Sequence, residues 1–345
     1  MIGGPLGSLA ACGPDSAIHK TPTPLPAQLR RITPGNARTI TQIAMLQSMD
    51  RFLRGAAVSP DGRVIATGGT TDVRLWDAGT GAPRKKLVGH TDQIYGMAWS
   101  PASGLLASAS FDGTVRLWDA QRDQAVQTLN CGSTMSVISV AWSPDGRQIA
   151  CGMRDGRVFL WDTMTATQRT VLSGPTGHSE GGRYPFAAWG VAWAPDGNRL
   201  VSTRYDDLLL LWNPSSGDSS AIPKTDSQPN TVAWAPSGQV FAMTDDEGKV
   251  ILWDGASAQR RAAFTSHADG GWSYGLAWSP DSAMVASGRE SGILQVWDAQ
   301  TGHELALLQG HTGPVWGLAW SPDGLRLVSA SDDGTARIWG VLLTS

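Results

Sequence analysis

The sequence predicts an all-β fold: a closed ring of seven four-stranded antiparallel blades, completed by a strand from the N-terminal side. Three observations predict it. Seven apolar runs end in Trp followed by Asp or a substitute, at Trp76-Asp77, Trp118-Asp119, Trp161-Asp162, Trp212-Asn213, Trp253-Asp254, Trp297-Asp298 and Trp339-Gly340, with Trp spacings of 42, 43, 51, 41, 44 and 42. Seven turn prolines, Pro60, Pro101, Pro144, Pro195, Pro236, Pro280 and Pro322, follow with spacings of 41, 43, 51, 41, 44 and 42. The two landmarks drift together, so the period belongs to a unit of about forty residues, the length of a propeller blade. Finally, the sequence given ends six residues after Trp339, so the last blade lacks its outer strand.

Residues 1–35 precede the repeat and are expected to form a leader remnant and a linker, with residues 36–345 forming the seven-bladed β-propeller. Leu9-Ala10-Ala11-Cys12 before Gly13 resembles a bacterial lipobox, which makes Cys12 a candidate lipidation site. The apolar stretch before it is short, and no Lys or Arg precedes it. The run from His19 to Pro26 is Pro-rich, as suits an extended spacer. Next, Ala44 to Met49 aligns with Ala306 to His311 when both are counted back from the following Ser-Pro turn. Residues near 39 to 46 are therefore expected to supply the missing outer strand of the blade containing Trp339, which closes the ring.

The final repeat shows how each blade is built. Val315 to Trp320, Leu325 to Ala330 and Thr335 to Trp339 are apolar runs parted by Ser-Pro-Asp-Gly and Ser-Asp-Asp-Gly. These read as three strands, a, b and c, joined by tight turns in which Pro presets φ and Gly accepts a positive φ. A fourth strand, d, follows each Trp-Asp, as at Leu305 to Leu308. Blades buried on both faces tolerate nearly continuous hydrophobic strands such as Leu208 to Trp212.

Composition narrows the function. The net charge is -3 with 17% charged residues, which disfavours a nucleic-acid partner. Cys12, Cys131 and Cys151 build no disulfide framework, and Cys151, in a position that other repeats fill with Ser, reads as a small buried thiol, with a Cys131–Cys151 disulfide as the alternative. His90, His178, His267 and His311 fall one to a blade, so they do not converge on a metal; no phosphate loop or nucleophile-elbow motif occurs. No cofactor is expected.

By these residues the chain resembles the WD-repeat (WD40) β-propeller family over roughly 300 positions. The resemblance implies a hydrogen-bonded tetrad in each complete blade. Three blades carry all four residues: His90, Ser108, Asp112 and Trp118; His178, Ser202, Asp206 and Trp212; and His311, Ser329, Asp333 and Trp339. Blade 3 offers Cys151, Asp155 and Trp161 without a His, and blades 5 and 1, with Met243 and Met49, depart furthest.

The repeat assigns thirteen of the sixteen Trp residues to the core and leaves Trp189, Trp272 and Trp316. In the resembled family, the positions six and eight residues before the turn Pro, and the one before the turn Asp, point to the top rim where partners dock. Here the first series is Arg54, Tyr95, Ile138, Trp189, Asn230, Tyr274 and Trp316; the second includes Phe52, Gln93 and Trp272. The third is Phe111, Arg154, Tyr205, Asp246, Glu290 and Asp332. Arg183 and Tyr184 sit in the extra residues of the 51-residue repeat and would join the same rim. Aromatics with Arg are the usual material of binding hot spots, which favours a binding face over the alternative that rings on strand a merely plug the channel mouth.

The expected function is thus a non-enzymatic, monomeric scaffold that binds a protein or peptide at its top rim. Display from a bacterial envelope through Cys12 is expected, with a cytoplasmic scaffold as the alternative. The competing functional reading is an envelope enzyme or small-ligand binder using the central channel.

Overall fold

A computed structural model describes residues 25–26, 28–132, 135–174, 187–204, 206–222, 227–265 and 271–343. Cys12, His178, Arg183, Tyr184, Tyr205 and His267 lie outside the described residues.

Seven antiparallel sheets form the ring, in chain order from blade 1 to blade 7. Blade 2 is typical, with strands a to d at Ile94–Trp99, Leu105–Ser110, Thr114–Asp119 and Gln124–Asn130. Strand a of blade 4 is cut to Val191–Trp193. Blade 7 combines Val315–Trp320, Arg326–Ser331 and Thr335–Leu342 with Thr41–Gln47, which pairs antiparallel from Thr41 opposite Gly340 to Gln47 opposite Thr335. The closing strand thus comes from the N-terminal side, running to Gln47 rather than stopping near residue 46.

Part of the segment expected to be a linker also packs on the ring. Leu29 and Arg30 pair with Leu342 and Val341, so the C-terminal strand carries two N-terminal partners. Leu25 and Ile32 are buried on either side of blade 7. A Pro-rich composition did not reveal these anchors, because two isolated apolar residues have no periodicity.

The core is divided among the blade interfaces. Among the described residues seven apolar clusters occur, each built from two neighbouring blades. The cluster joining blades 7 and 1 contains Leu46, Leu53, Ile65, Trp76 and Ile338. All seven strand-c Trp side chains are buried, whereas Trp99, assigned to the core by position, is only partly so.

Polar groups inside the blades follow one rule. In blade 2, Trp118 Nε1 donates to Ser108 Oγ (2.8 Å), whose hydroxyl can donate to His90 Nε2 (2.7 Å), and His90 Nδ1 meets Asp112 Oδ2 (2.7 Å). Blade 7 repeats this with Trp339, Ser329, His311 and Asp333 at 2.9, 2.8 and 2.8 Å. Strand b also supplies a hydroxyl to Trp76 (Thr67), Trp212 (Ser202) and Trp297 (Ser287). In blades 3 and 5 the corresponding residues are Cys151 and Met243, and there the indole N–H groups of Trp161 and Trp253 are buried without a partner. An orphaned buried donor costs about 1–3 kcal/mol.

The acid of the tetrad varies more. In blade 4, Asp206 is held by Arg204 (2.5 Å), with side chains only 5% and 3% exposed. In blade 1, Met49 turns out to solvent, and the acid is supplied by Asp50, which bonds Ser48, Thr70 and Arg74. Cys131 and Cys151 are both buried free thiols, and burial pushes the Cys151 thiol up.

Candidate functional site

The inner strands converge at the channel mouth, and a backbone irregularity aims their side chains there. In blades 1, 2, 3, 6 and 7 the pairing of strand a with strand b skips one residue, respectively Arg54, Tyr95, Ile138, Tyr274 and Trp316. These are the positions six residues before the turn Pro. A bulge of this kind leaves one residue unpaired and re-aims its side chain. Blade 5 skips Asn230 and Thr231, and Trp189 lies just ahead of the shortened strand of blade 4. The residue after the bulge is often Gly because the next blade is close: a Cβ on Gly317 would lie 2.7 Å from the backbone nitrogen of Ala56.

The bulged side chains meet around the axis. Tyr274 and Trp316 stack at 3.9 Å with planes 13° apart. Trp316 approaches Tyr95 (6.0 Å) and Trp189 (6.4 Å), which bridges blades 2, 4 and 7. Tyr95 stacks on Phe111 at 4.3 Å, and Trp272 flanks Tyr274 at 5.9 Å. These rings thus meet across the inner strands while each of Tyr95, Trp189, Trp272, Tyr274 and Trp316 stays only partly buried. They help line a cavity of about 240 Å³ whose wall includes residues from every blade. Its polar lining is Arg54, Tyr95, Ser139, Asn230, Thr231, Tyr274 and the indoles; Trp189 and Trp316 have buried N–H groups with no hydrogen-bond partner.

Arg54 is the hub. Its guanidinium pairs with Asp332 of blade 7 at 3.1 and 3.3 Å, bonds Gln93 and Tyr95 of blade 2, and lies 4.7, 4.6 and 4.8 Å from the ring centres of Phe52, Tyr95 and Trp316. Arg54, singled out as a partner-binding side chain, makes all of these contacts within its own chain. Arg154 lies 5.9 Å from the Phe111 ring.

Backbone hydrogen bonds set the rim residues in one register. The N–H groups of Phe111, Arg154, Asp246, Glu290 and Asp332 donate to the carbonyls of Gln93, Ser136, Gln228, Trp272 and Pro314, each eight residues before its turn Pro. Counting from the turn thus located these five equivalently. Asp332 is neutralised by Arg54, but Asp246 and Glu290 carry no ion pair among the described residues. Burial pushes the Asp246 carboxyl up, with Glu247 and Asp207 adding repulsion against the hydrogen bond from Gln228. Among the described residues, no three His, Cys, Asp or Glu side chains are grouped to hold a metal.

A family model described as the IFT122 first beta-propeller matches residues 38–274, more than half of the chain. The chain belongs to the WD40 β-propeller family. A WD domain, G-beta repeat model matches residues 259–298 and 302–340 of this WD40 propeller. Similar proteins include groucho of Drosophila melanogaster, 32% identical over 97 residues, covering 27% of this chain and 13% of groucho. Coronin-7 of Mus musculus is 53% identical over 47 residues, 14% of this chain and 5% of that protein. WD repeat-containing protein 1 of Gallus gallus is 36% identical over 94 residues, 26% of this chain and 15% of that one. The matches span at most 15% of these three relatives. WD40 propellers generally act as protein-interaction scaffolds.

Proposed function

We propose that this propeller is a non-enzymatic scaffold that binds a protein or peptide across the mouth of its channel. The carrying observation is the aromatic-walled cavity of about 240 Å³ formed by bulged strand-a residues. It is smaller than the ~300–1,000 Å³ typical of pockets for drug-sized ligands, so a partner's side chain suits it better than a whole ligand. Its lining brings neither a carboxylate nor a His into the channel wall, which favours binding over the alternative of channel catalysis.

The test is affinity capture from the native cell with the wild-type chain and a Trp272→Ala/Trp316→Ala double variant, read by mass spectrometry. Specific partners should be lost with the variant while its circular dichroism stays that of a folded propeller. Full retention of binding would sink the assignment of the mouth.

Display from a bacterial envelope rests on the Leu9-to-Cys12 pattern; the relatives named above are animal proteins and lend it no support. Incorporation of labelled palmitate into the wild type but not into Cys12→Ser tests it, and no incorporation favours the cytoplasmic alternative.

A further inference from the structure

Six blades carry an acid paired with a base beside the turn that joins strands b and c. In blades 2, 3, 4, 5 and 7 the acid stands just before a residue of positive φ, as Asp112, Asp155, Asp206, Glu247 and Asp333. Their respective partners are His90, Arg157, Arg204, Lys249 and His311. Blade 1 pairs Asp50 with Arg74. Blade 6 departs: the position before its positive-φ residue, Gly292, is Ser291, which is exposed on the turn.

The base is still there. Arg289 ends strand b of blade 6, Met284–Arg289, two residues before Ser291, as Arg204 ends Leu200–Arg204 two residues before Asp206. The registers agree: two residues before each arginine, Ser287 and Ser202 accept the indole N–H of Trp297 and Trp212, and φ is 85° at Gly292 and 63° at Asp207. Arg204 bonds Asp206 at 2.5 Å. Arg289 is 2% exposed, yet among the described residues its guanidinium donates only to neutral oxygens, Gln295 Oε1 at 3.3 Å and the Gly271 carbonyl at 3.5 Å. Gln295 in turn donates to Glu304 at 2.8 Å, so the carboxylate of this network is one amide removed from the charge. A buried cation without a counter-charge is costly, and blade 4 shows that an acid at the place of Ser291 meets such a cation.

We propose that Ser291 is a phosphorylation site whose phosphate supplies blade 6 with the acid that Arg289 lacks. The step is phosphoryl transfer from ATP by a protein kinase. Ser291 Oγ bonds the γ-phosphorus, the bond from that phosphorus to the β–γ bridging oxygen breaks, ADP leaves, and the hydroxyl proton passes to the kinase's base. The product carries about −1.5 to −2 charge at pH 7 and three acceptor oxygens, which the planar fork of an arginine bonds in a bidentate manner. Glu290, next in the chain, opposes the new charge, but it is exposed and screened by salt, whereas the charge of Arg289 is shielded from water. The modification ties the turn to its own strand b. It also places negative charge on the rim beside Glu290, whose N–H bonds the Trp272 carbonyl.

The test uses the full chain with Ser291 phosphorylated, prepared by genetic incorporation of phosphoserine and followed by phosphorus-31 NMR. Beside Arg289 the second ionisation of the phosphate, ordinarily at about pH 6, should lie about one unit lower than in the same protein carrying Arg289→Met. Methionine is chosen because an apolar side chain can replace a buried unpaired charge without harm to the fold. A second reading needs no change at Arg289: Ser291→Asp, which recreates the acid of blade 4, should have a higher urea midpoint than Ser291→Asn. Phosphopeptide mass spectrometry of the chain isolated from its native cell should find phosphate on Ser291. An ionisation that Arg289→Met leaves unshifted, equal midpoints for Ser291→Asp and Ser291→Asn, or an unmodified Ser291 in the native chain overturns the proposal.

Discussion

Arg54 of blade 1 grips Asp332 of blade 7 through two hydrogen bonds, across the interface where the ring closes, 278 residues apart in sequence. The pair is mostly shielded, with side chains 16% and 23% exposed, and the guanidinium is stacked among rings, so it is worth more than a surface salt bridge. Arg54→Ala and Asp332→Ala should each destabilise the chain. A double-mutant cycle by urea denaturation should give a coupling of about 1–3 kcal/mol. A coupling near zero would mean that the pair does not strengthen closure.

The missing acceptor in blade 3 can be restored. Cys151→Ser places a hydroxyl where four other blades use Ser, within expected reach of the orphaned Trp161 N–H. It should stabilise the protein by about 1 kcal/mol, seen as a higher urea midpoint. The opposite change, Ser108→Ala, orphans the Trp118 N–H and removes the His90 partner, and should cost about 1–3 kcal/mol. Equal effects of opposite chemistry would contradict the rule.

Acid should weaken blades 2 and 7 through their turn carboxylates. Burial raises the Asp333 pKa, but hydrogen bonds from His311, Thr335 and the Thr312 N–H, with the His311 charge, outweigh it and hold the carboxyl well below the usual range. Asp112 is held low in the same way by His90, Thr114 and Thr91. A folded pKa below the unfolded value of about 3.9 means that this stabilisation is complete above about pH 5 and is lost as pH falls through the folded value. Urea midpoints measured from pH 7 to pH 3 should fall less steeply for Asp333→Asn than for the wild type, and the variant should be the less stable of the two at pH 7.

Closure also depends on the strand Thr41–Gln47. Leu46 is 2% exposed in the cluster joining blades 7 and 1, so Leu46→Ala should cost about 2–5 kcal/mol. Met45, on the same strand but 48% exposed, should tolerate Ala within about 0.5 kcal/mol. Thermal melts of the two variants check the contrast, which would disappear if the strand were detached in solution.

The architecture was legible because turn prolines, strand-end tryptophans and glycines recur in phase, and a blade needs each at a fixed place. Even the closing strand could be found by counting back from a turn. The mouth was legible only as a set of positions. That Tyr95, Trp189 and Trp316 meet depends on ring closure and on bulges, neither of which leaves a local pattern. The ion pair of Arg54 with Asp332 was not legible, because the acid lies at the other end of the repeat. The bond from Arg204 to Asp206, two residues on, was not legible, because the repeat pattern marks the acid and not the strand-b side chain beside it; His178, the partner expected of Asp206, lies outside the described residues. Asp50 was missed because it serves blade 1 from the loop before strand a; an acid next to a misfit Met49 was the available signal.

The pairing of Thr41–Gln47 with the C-terminal strand has a consequence for biogenesis. On the ribosome, this strand emerges before the blades that separate it from its partner, so the final interface cannot form until Thr335–Leu342 has been made. Until then the nascent chain is an open arc with two raw, apolar ends, the type of surface that invites aggregation and recruits chaperones. Once the two strands meet, residues made far apart in time are zipped together, and Thr41–Gln47 cannot peel away without exposing the cluster that joins blades 7 and 1.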